Sequence, residues 1–453
     1  MNYKQMKYNF TRVSLIALLC ICLSITGCGL NDDYIITVFD GDMGGASYSF
    51  LNDYSDVGTY ELVVQYESAG GMWYSELEDI YNYAWTQCLN VWNSYISLYE
   101  SSGDVMWLEK LSGQIDDILQ KRDSVSHKVD RNGMELPSWS YTSDSALYEP
   151  YHSPVMIGLI VYPILRFVEF VKKDNITQFE EMADEYLAAS IDALSVIDLD
   201  VDAFDDYVIP RSACQDMWRE RTESGIKLGY YVGHNYYDED YFKDRGFVSG
   251  NPLPYNQSLS VAQCYPVLYR ILGDSIWLEK TEKSWNWFRR TGFDTTGEIW
   301  WWYYSEYYNW CRSNATPIRT VAPPDDKEGY YEDYEGHYSV DLTFIIEAHK
   351  IGVVDDDLLF EISKNKKDMG LTSSGWLKTM NTESHDGAYN LKAAVYYDYF
   401  THNLNDTDYR DIVFPVLRDE IERQYKNGVF ADNSTNVNGT CLRLLVSAYA
   451  THE

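Results

Sequence analysis

Side chains able to move protons gather in the stretch Tyr330–Lys350, YYEDYEGHYSVDLTFIIEAHK. Glu332 and Asp333 are carboxylates of the kind that serve as general acid or base, and His337 ordinarily titrates close to neutral pH. Asp341 follows the histidine by four residues. If the helix demanded by the apolar run LTFII begins near Gly336, His337 and Asp341 share one face a turn apart. The carboxylate can then orient the imidazole and hold its tautomer. A start at Ser339 would weaken that pairing. A charged helix start is favoured by the helix dipole, which accounts for the acids without chemistry but leaves the histidine unexplained.

Three other stretches carry suitable residues. In YEPYHSPVMIG (148–158), His152 stands at a loop-to-helix junction, where it can face a ligand or simply bond a neighbouring carbonyl. GNPLPYNQSLS (250–260) is a loop stiffened by prolines that ends in Tyr255, Asn256 and Gln257. The phenol can transfer a proton and the amides can bind hydroxyls or a carboxylate, although Asn256 alone reads equally well as a helix cap. EIWWWYYSEYYNW (298–310) places Trp300, Trp301, Trp302 and Tyr303 in a row, with Glu298, Glu306 and Arg312 beside them. Consecutive rings cannot all point into one core, so some are expected to offer faces that stack on the apolar C–H faces of sugars. DLDVDAFDDY (198–207) has the rhythm of a calcium loop in Asp198, Asp200 and Asp202. Ala203 stands at the turn position and Ile209 at the last ligand position, which excludes an EF-hand and leaves only an irregular calcium site. No other metal and no cofactor is expected.

The elements that must position these residues are helical. Apolar residues recur at helical spacing over Trp73–Tyr99, Val105–Leu119, Val155–Val171, Phe179–Ile197, Leu259–Ile271, Ile276–Phe288, Leu342–Ile351, Leu391–Phe400, Ile412–Ile421 and Leu442–Tyr449. Strand-like alternation is scarce outside 34–39 and 60–66. Val155–Val171 is long enough to suggest a membrane span, but Pro163, Arg166 and Glu169 interrupt it and predict a buried core helix. An internal echo sets the hairpins: GDVMWLEK (103–110) returns as GDSIWLEK (273–280), with looser versions at 174–181 and 405–411. Gly ends one helix in a left-handed conformation, Asp caps the next, and Trp and Leu open its buried stripe. Repeated hairpins of this kind predict a ring or solenoid, and the aromatic content favours a closed ring.

The N-terminus has a basic start (Lys4, Lys7, Arg12), a short apolar core and the ending SITGC. This order predicts a secretory signal over 1–27. The ending resembles the lipobox of bacterial lipoproteins, which implies lipidation of Cys28, and Gly29 favours the outer membrane if the source is Gram-negative. Residues 28–70 read as a tether with an extended segment, and 71–453 as one helical domain. The chain carries a net charge of −34, and loss of 1–27 removes three basic residues and no acidic one. Such a field excludes binding to nucleic acid or anionic lipid through a general basic surface, so membrane contact is expected only through the lipid. Cys88, Cys214, Cys264, Cys311 and Cys441 form no C-x-x-C pair and read mostly as buried small hydrophobes, with one or two disulfides left open.

The hairpin turns, the LPYNQ segment, the Trp–Tyr cluster and the ED…H segment together resemble the α/α-toroid carbohydrate-active enzymes over residues 70–450. That superfamily includes six-hairpin glycosidases, several polysaccharide lyase families and the glucuronate C5-epimerases. The resemblance implies a mainly α fold, an incomplete or six-hairpin α/α-toroid with a few short strands near the N-terminus. It also implies a cleft whose loops act on a polysaccharide or oligosaccharide. In such lyases and epimerases a Tyr or His removes the proton α to a uronate carboxylate held by Asn, Gln or Arg. Tyr255, Asn256, Gln257, His337 and His152 supply those types, with Arg211 and Arg312 to offset the acidic field. A glycoside hydrolase using carboxylates among Glu332, Asp333 and Asp341 is the alternative. A third reading is a glycan-binding lipoprotein without catalysis, which would use the aromatic row alone.

Overall fold

The two GDxxWLEK stretches adopt the same turn in the computed structural model, which describes residues 79–142, 150–198, 200–201, 216–233, 250–294, 301–302 and 336–362. α1 (Ile80–Asn82), a π-helical stretch (Tyr83–Trp92) and α2 (Asn93–Ser102) make one rod, and α3 (Met106–Leu119) returns along it. Between them Gly103 sits at φ 66°, where a side chain would be strained, and Asp104 Oδ1 accepts the Met106 N–H at 3.0 Å. Trp107 is wholly buried and stacks on Tyr95 at 5.8 Å.

A short helix α4 (Asp123–Ser126) and the two-residue strands β1 (Ser140–Tyr141) and β2 (Tyr151–His152) lead into the second hairpin. That hairpin is α5 (Pro154–Lys173) and α6 (Glu180–Ser195). α5 is apolar and long enough to cross a membrane, but it is almost entirely buried inside the protein, as expected of a core helix. An antiparallel ribbon, β3 (Trp218–Glu223) and β4 (Ile226–Tyr231), precedes the third hairpin, α7 (Tyr255–Ala262) and α8 (Cys264–Leu272) against α9 (Ser275–Thr291). Its turn repeats the first in detail. Gly273 is at φ 71°, Asp274 Oδ1 accepts the Ile276 N–H at 3.1 Å, and Trp277 stacks on Tyr265 at 5.9 Å. After β5 (Phe293–Asp294) and β6 (Trp301–Trp302), α10 (Gly336–Lys350) begins a further unit.

The first helix of each hairpin packs on the first helix of the next, and these helices run parallel. Ser260 donates to the Pro154 carbonyl at 3.4 Å, Cys264 Sγ lies 3.9 Å from the Gly158 carbonyl, and Arg270 Nε donates to Glu169 at 2.6 Å. The numbers rise together along both helices. At Gly158 the approach is so close that a Cβ would lie 2.3 Å from the Ser260 carbonyl carbon.

A buried charge cluster ties the C-terminal ends of these parallel helices. Arg166 donates to Glu347 at 2.5 Å and to Glu100 at 3.2 Å. Arg270 donates to Glu169 and Glu347, and Tyr162 and Lys350 donate to Glu347 at 2.9 and 3.0 Å. Burial alone would raise the Glu347 carboxyl, but the charges of Arg270, Lys350 and Arg166 hold it well below the ordinary carboxylate range.

The described strands differ from expectation in place. The β3–β4 ribbon was not foreseen, because WRERTE shows little alternation: only Trp218 of that strand is fully buried, beside Leu228 and Tyr231 of its partner. The segments 34–39 and 60–66, the three helical stretches after residue 390, the looser turn at 405–411 and the segment 1–70 lie outside the described residues.

Candidate functional site

Parallel packing brings the N-terminal ends of four helical stretches to one side, opposite the charge cluster. These ends carry Trp85, the Ser153–Pro154 junction, Asn256–Ser258 and His337. Each contributes the positive pole of a helix dipole, so this side favours negative charge despite the acidic chain.

α10 starts at Gly336, which sets His337 and Asp341 on one face a turn apart. His337 is partly exposed, and its ring meets Trp85 at 5.4 Å. Asp341 is fully buried below it. Asn256 is 1% exposed, and its carbonyl oxygen, the Gln257 carbonyl oxygen and the Ser258 hydroxyl are buried with no hydrogen-bond partner among the described residues. Two amide acceptors left open in one turn of helix are costly unless something donates to them.

Two expected residues have other roles. Tyr255 was expected to transfer a proton, but its ring is wholly buried against Trp287 and Phe288, and its hydroxyl donates to Thr291 at 2.9 Å. It faces the returning helix α9, because the helix start turns it a residue away from the face that carries Asn256. His152 was expected to touch substrate, yet it has no exposed surface. Its Nε2 lies 3.2 Å from Asp123 and its Nδ1 3.8 Å from Asp130, and both carboxylates are buried. Backbone N–H groups of Ser140, Asn132 and Met134 donate to these acids. The cluster ties the start of α4 and the Asp130–Met134 turn to β2, directly ahead of α5.

Asp198, considered for an irregular calcium site, is spoken for by protein donors. Its Oδ2 accepts Tyr231 and Tyr265 at 3.1 Å and Lys280 at 2.9 Å, while its Oδ1 accepts the Asp200 N–H at 3.1 Å. Burial raises the Asp198 pKa and outweighs the neighbouring Lys280 charge. Lys280 also lies 4.2 Å from the Trp218 ring centroid. Among the described residues no group of three or more His, Cys, Asp or Glu is arranged to hold a metal ion. Cys88 and Cys264 are buried free thiols.

Glu332, Asp333, Trp300, Tyr303, Arg312, Arg211, Asp202 and Cys28 lie outside the described residues. Trp301 and Trp302 are placed by their backbone: Trp302 pairs with Phe293, which packs on Phe288, itself against Tyr255. Sequence reasoning missed Trp85 and the acids around His152. The i, i+4 spacing of Tyr81 and Trp85 at the start of the first helical run was the available signal for the former.

No protein-family model matches the chain, and no curated protein matches it significantly. Solved structures do. An inactive variant of the GH76A α-1,6-mannanase of Salegentibacter sp., in complex with α-1,6-mannotriose, matches at TM-score 0.51 and 14% identity, covering 87% of this chain and 99% of its own. The unsubstituted mannanase matches at TM-score 0.49 and 15% identity, with 87% and 98% covered. A cellobiose 2-epimerase from Bacillus thermoamylovorans matches at TM-score 0.47 and 13% identity, with 81% and 87% covered. The backbone likeness to the mannotriose complex and the parallel first helices with their returning partners give the fold: mainly α, an α/α-toroid.

Proposed function

We propose that this chain is an exported, lipid-anchored enzyme that processes a glycan at the N-terminal side of its parallel helices. The chemistry is proton transfer of the lyase or epimerase type, with His337 as proton carrier. The observation that carries this reading is the pairing of a partly exposed His337, with Asp341 one turn below it, and unpartnered amide oxygens on Asn256 and Gln257. Sugar hydroxyls are donors that would satisfy those acceptors. Removing a proton α to a carbonyl or carboxylate builds negative charge, which the convergent helix N-termini are aimed to stabilise. Asp341, four residues on along the same helix, is the carboxylate that would hold the imidazole in the tautomer that accepts the proton.

A hydrolytic reading stands beside it on the backbone likeness to the α-1,6-mannanase bound to mannotriose, whose inactive variant carries replacements of two consecutive aspartates. In this chain the consecutive aspartates among the described residues, Asp116–Asp117 and Asp355–Asp357, are exposed on the protein surface. The other consecutive aspartates, Asp32–Asp33, Asp205–Asp206 and Asp325–Asp326, lie outside the described residues, and the carboxylates weighed for a hydrolytic pair are Glu332, Asp333 and Asp341.

A panel of neutral and uronate-containing polysaccharides separates these readings. Unsaturated-uronate absorbance with new reducing ends marks a lyase, and new ends without absorbance mark a hydrolase. Solvent deuterium entering unbroken sugar marks an epimerase. His337→Gln is expected to keep the melting temperature and to lower turnover by roughly a hundredfold or more. Full activity in that variant would remove His337 from the chemistry.

A further inference from the structure

Aromatic rings continue outward from His337 in an unbroken series. Trp85 meets His337 at 5.4 Å, Tyr81 meets Trp85 at 6.4 Å, and Tyr141 meets Tyr81 at 6.3 Å. Tyr141 in turn packs on Tyr151 at 4.8 Å, and their hydroxyls lie 2.5 Å apart, which fixes the outer end of the series to the β1–β2 pair. Successive interplanar angles are 31°, 49° and 57° from Tyr141 to His337.

These rings do not behave as core. Tyr81 is 42% exposed, and Trp85, Tyr141 and His337 are each partly exposed. A hydrophobic core would have buried them, as it buries Trp92, Trp107 and Trp139. The supports are stiff: Tyr81 and Trp85 share one helical face, and Tyr141 sits in a paired strand whose neighbour Ser140 takes a hydrogen bond from Lys128 at 2.7 Å.

We infer that Tyr141, Tyr81 and Trp85 form a stacking rail that carries a linear glycan chain to His337. The inference rests on the reading of His337 as the reacting end and adds the length of the substrate: an extended oligosaccharide rather than a single sugar. Rings set one after another, each tilted by 31–57° against its neighbour, match a chain of sugars whose faces change direction from unit to unit, each presenting an apolar C–H face to one aromatic face. The open amide acceptors of Asn256 and Gln257 suit a ligand rich in hydroxyls. Nucleobases also stack, but the net charge of −34 repels a phosphate backbone.

The test measures binding by the full-length mature protein to size-graded linear oligosaccharides, from di- to octasaccharide, prepared from neutral α-mannan and from polygalacturonate. Affinity is expected to rise with chain length in at least one series. Trp85→Leu and Tyr81→Ala should flatten that rise, with the longest ligands weakened about tenfold, equivalent to about 1.4 kcal/mol. Tyr81 is the most exposed ring, so its variant stays folded even if the Trp85 variant does not, and melting temperatures check both. No gain of affinity with length in either series, or an undiminished gain in a folded Tyr81→Ala protein, overturns the rail. His337→Gln keeps this failure apart from that of the catalytic reading. If that variant loses turnover while wild-type affinity is independent of length, the rail falls alone. If it keeps turnover while affinity climbs with length and falls in Tyr81→Ala, the rail stands without His337 as proton carrier.

Discussion

Gly158→Ala tests the close approach that brings the helix N-termini together. The added methyl would lie 2.3 Å from both the carbon and the oxygen of the Ser260 carbonyl and 2.6 Å from Val261 N, where ordinary contacts begin near 3.4 Å. α5 and α7 must then part by about 1 Å, since backbone atoms cannot rotate aside as a side-chain tip can. Overpacking of this kind costs about 1–3 kcal/mol, and the better helix propensity of Ala returns up to about 1 kcal/mol. A net loss of about 1–2 kcal/mol is expected, read as a lower midpoint in urea unfolding at unchanged slope. Truncating the neighbour should not help: Ser260→Gly removes no atom that clashes, so Gly158→Ala with Ser260→Gly should be no more stable than Gly158→Ala. Turnover should fall further than stability predicts, because Asn256 moves with α7. A midpoint at or above wild type, or rescue by Ser260→Gly, would refute the argument.

Trp107→Ala and Trp277→Ala should each cost about 3–5 kcal/mol, the scale for emptying a buried ring site, and the two should resemble each other in thermal melts because their Tyr partners and turns are alike. Glu347→Gln strands buried arginines and should cost about 3–5 kcal/mol at neutral pH. Because the folded pKa of Glu347 lies below its ordinary 4.5, its contribution is present above that pH and is lost as pH falls toward the folded value. The gap between wild type and variant in stability titrations should therefore narrow below about pH 4.5 and remain constant between pH 6 and 8. Cys28→Ser should leave a precursor that no longer partitions with membranes, checked by fractionation and by labelling with a palmitate analogue; membrane retention equal to wild type would remove the lipid anchor from the proposal.

The hairpins were legible because their signals are local. Gly103–Asp104 and Gly273–Asp274 state a helix end and a helix cap within two residues, and the Trp that follows each needs only its own hairpin for burial. Side-chain direction at helix starts was not local. Whether Tyr255 or Asn256 faces the parallel helices depends on where the Pro254 junction sets the first turn, and a one-residue rotation exchanges their roles. His152 looked available because its carboxylate partners lie 29 and 22 residues upstream, Asp123 at the start of the one-turn helix α4 and Asp130 in the turn after it, where no helical or strand period places them. Trp85 was hidden in the opposite way, inside the helical-period stretch Trp73–Tyr99, where each ring reads as part of the core stripe. The ribbon at 218–231 escaped because its outward residues are charged on both strands and its inward face rests on α9, through Gly229 and Lys283.

The charge cluster at the far ends of the helices has a consequence for synthesis. Its members come from positions 100, 166, 169, 270, 347 and 350, so no early stretch of the chain can complete it. A nascent chain that has released the second hairpin holds Arg166 beside Glu100 and Glu169 but still lacks Glu347. Its long-range contacts form late, after most of the polypeptide has left the ribosome. Until then Arg166 is matched only by Glu100 and Glu169, so the cluster acquires its most deeply buried carboxylate, Glu347, last.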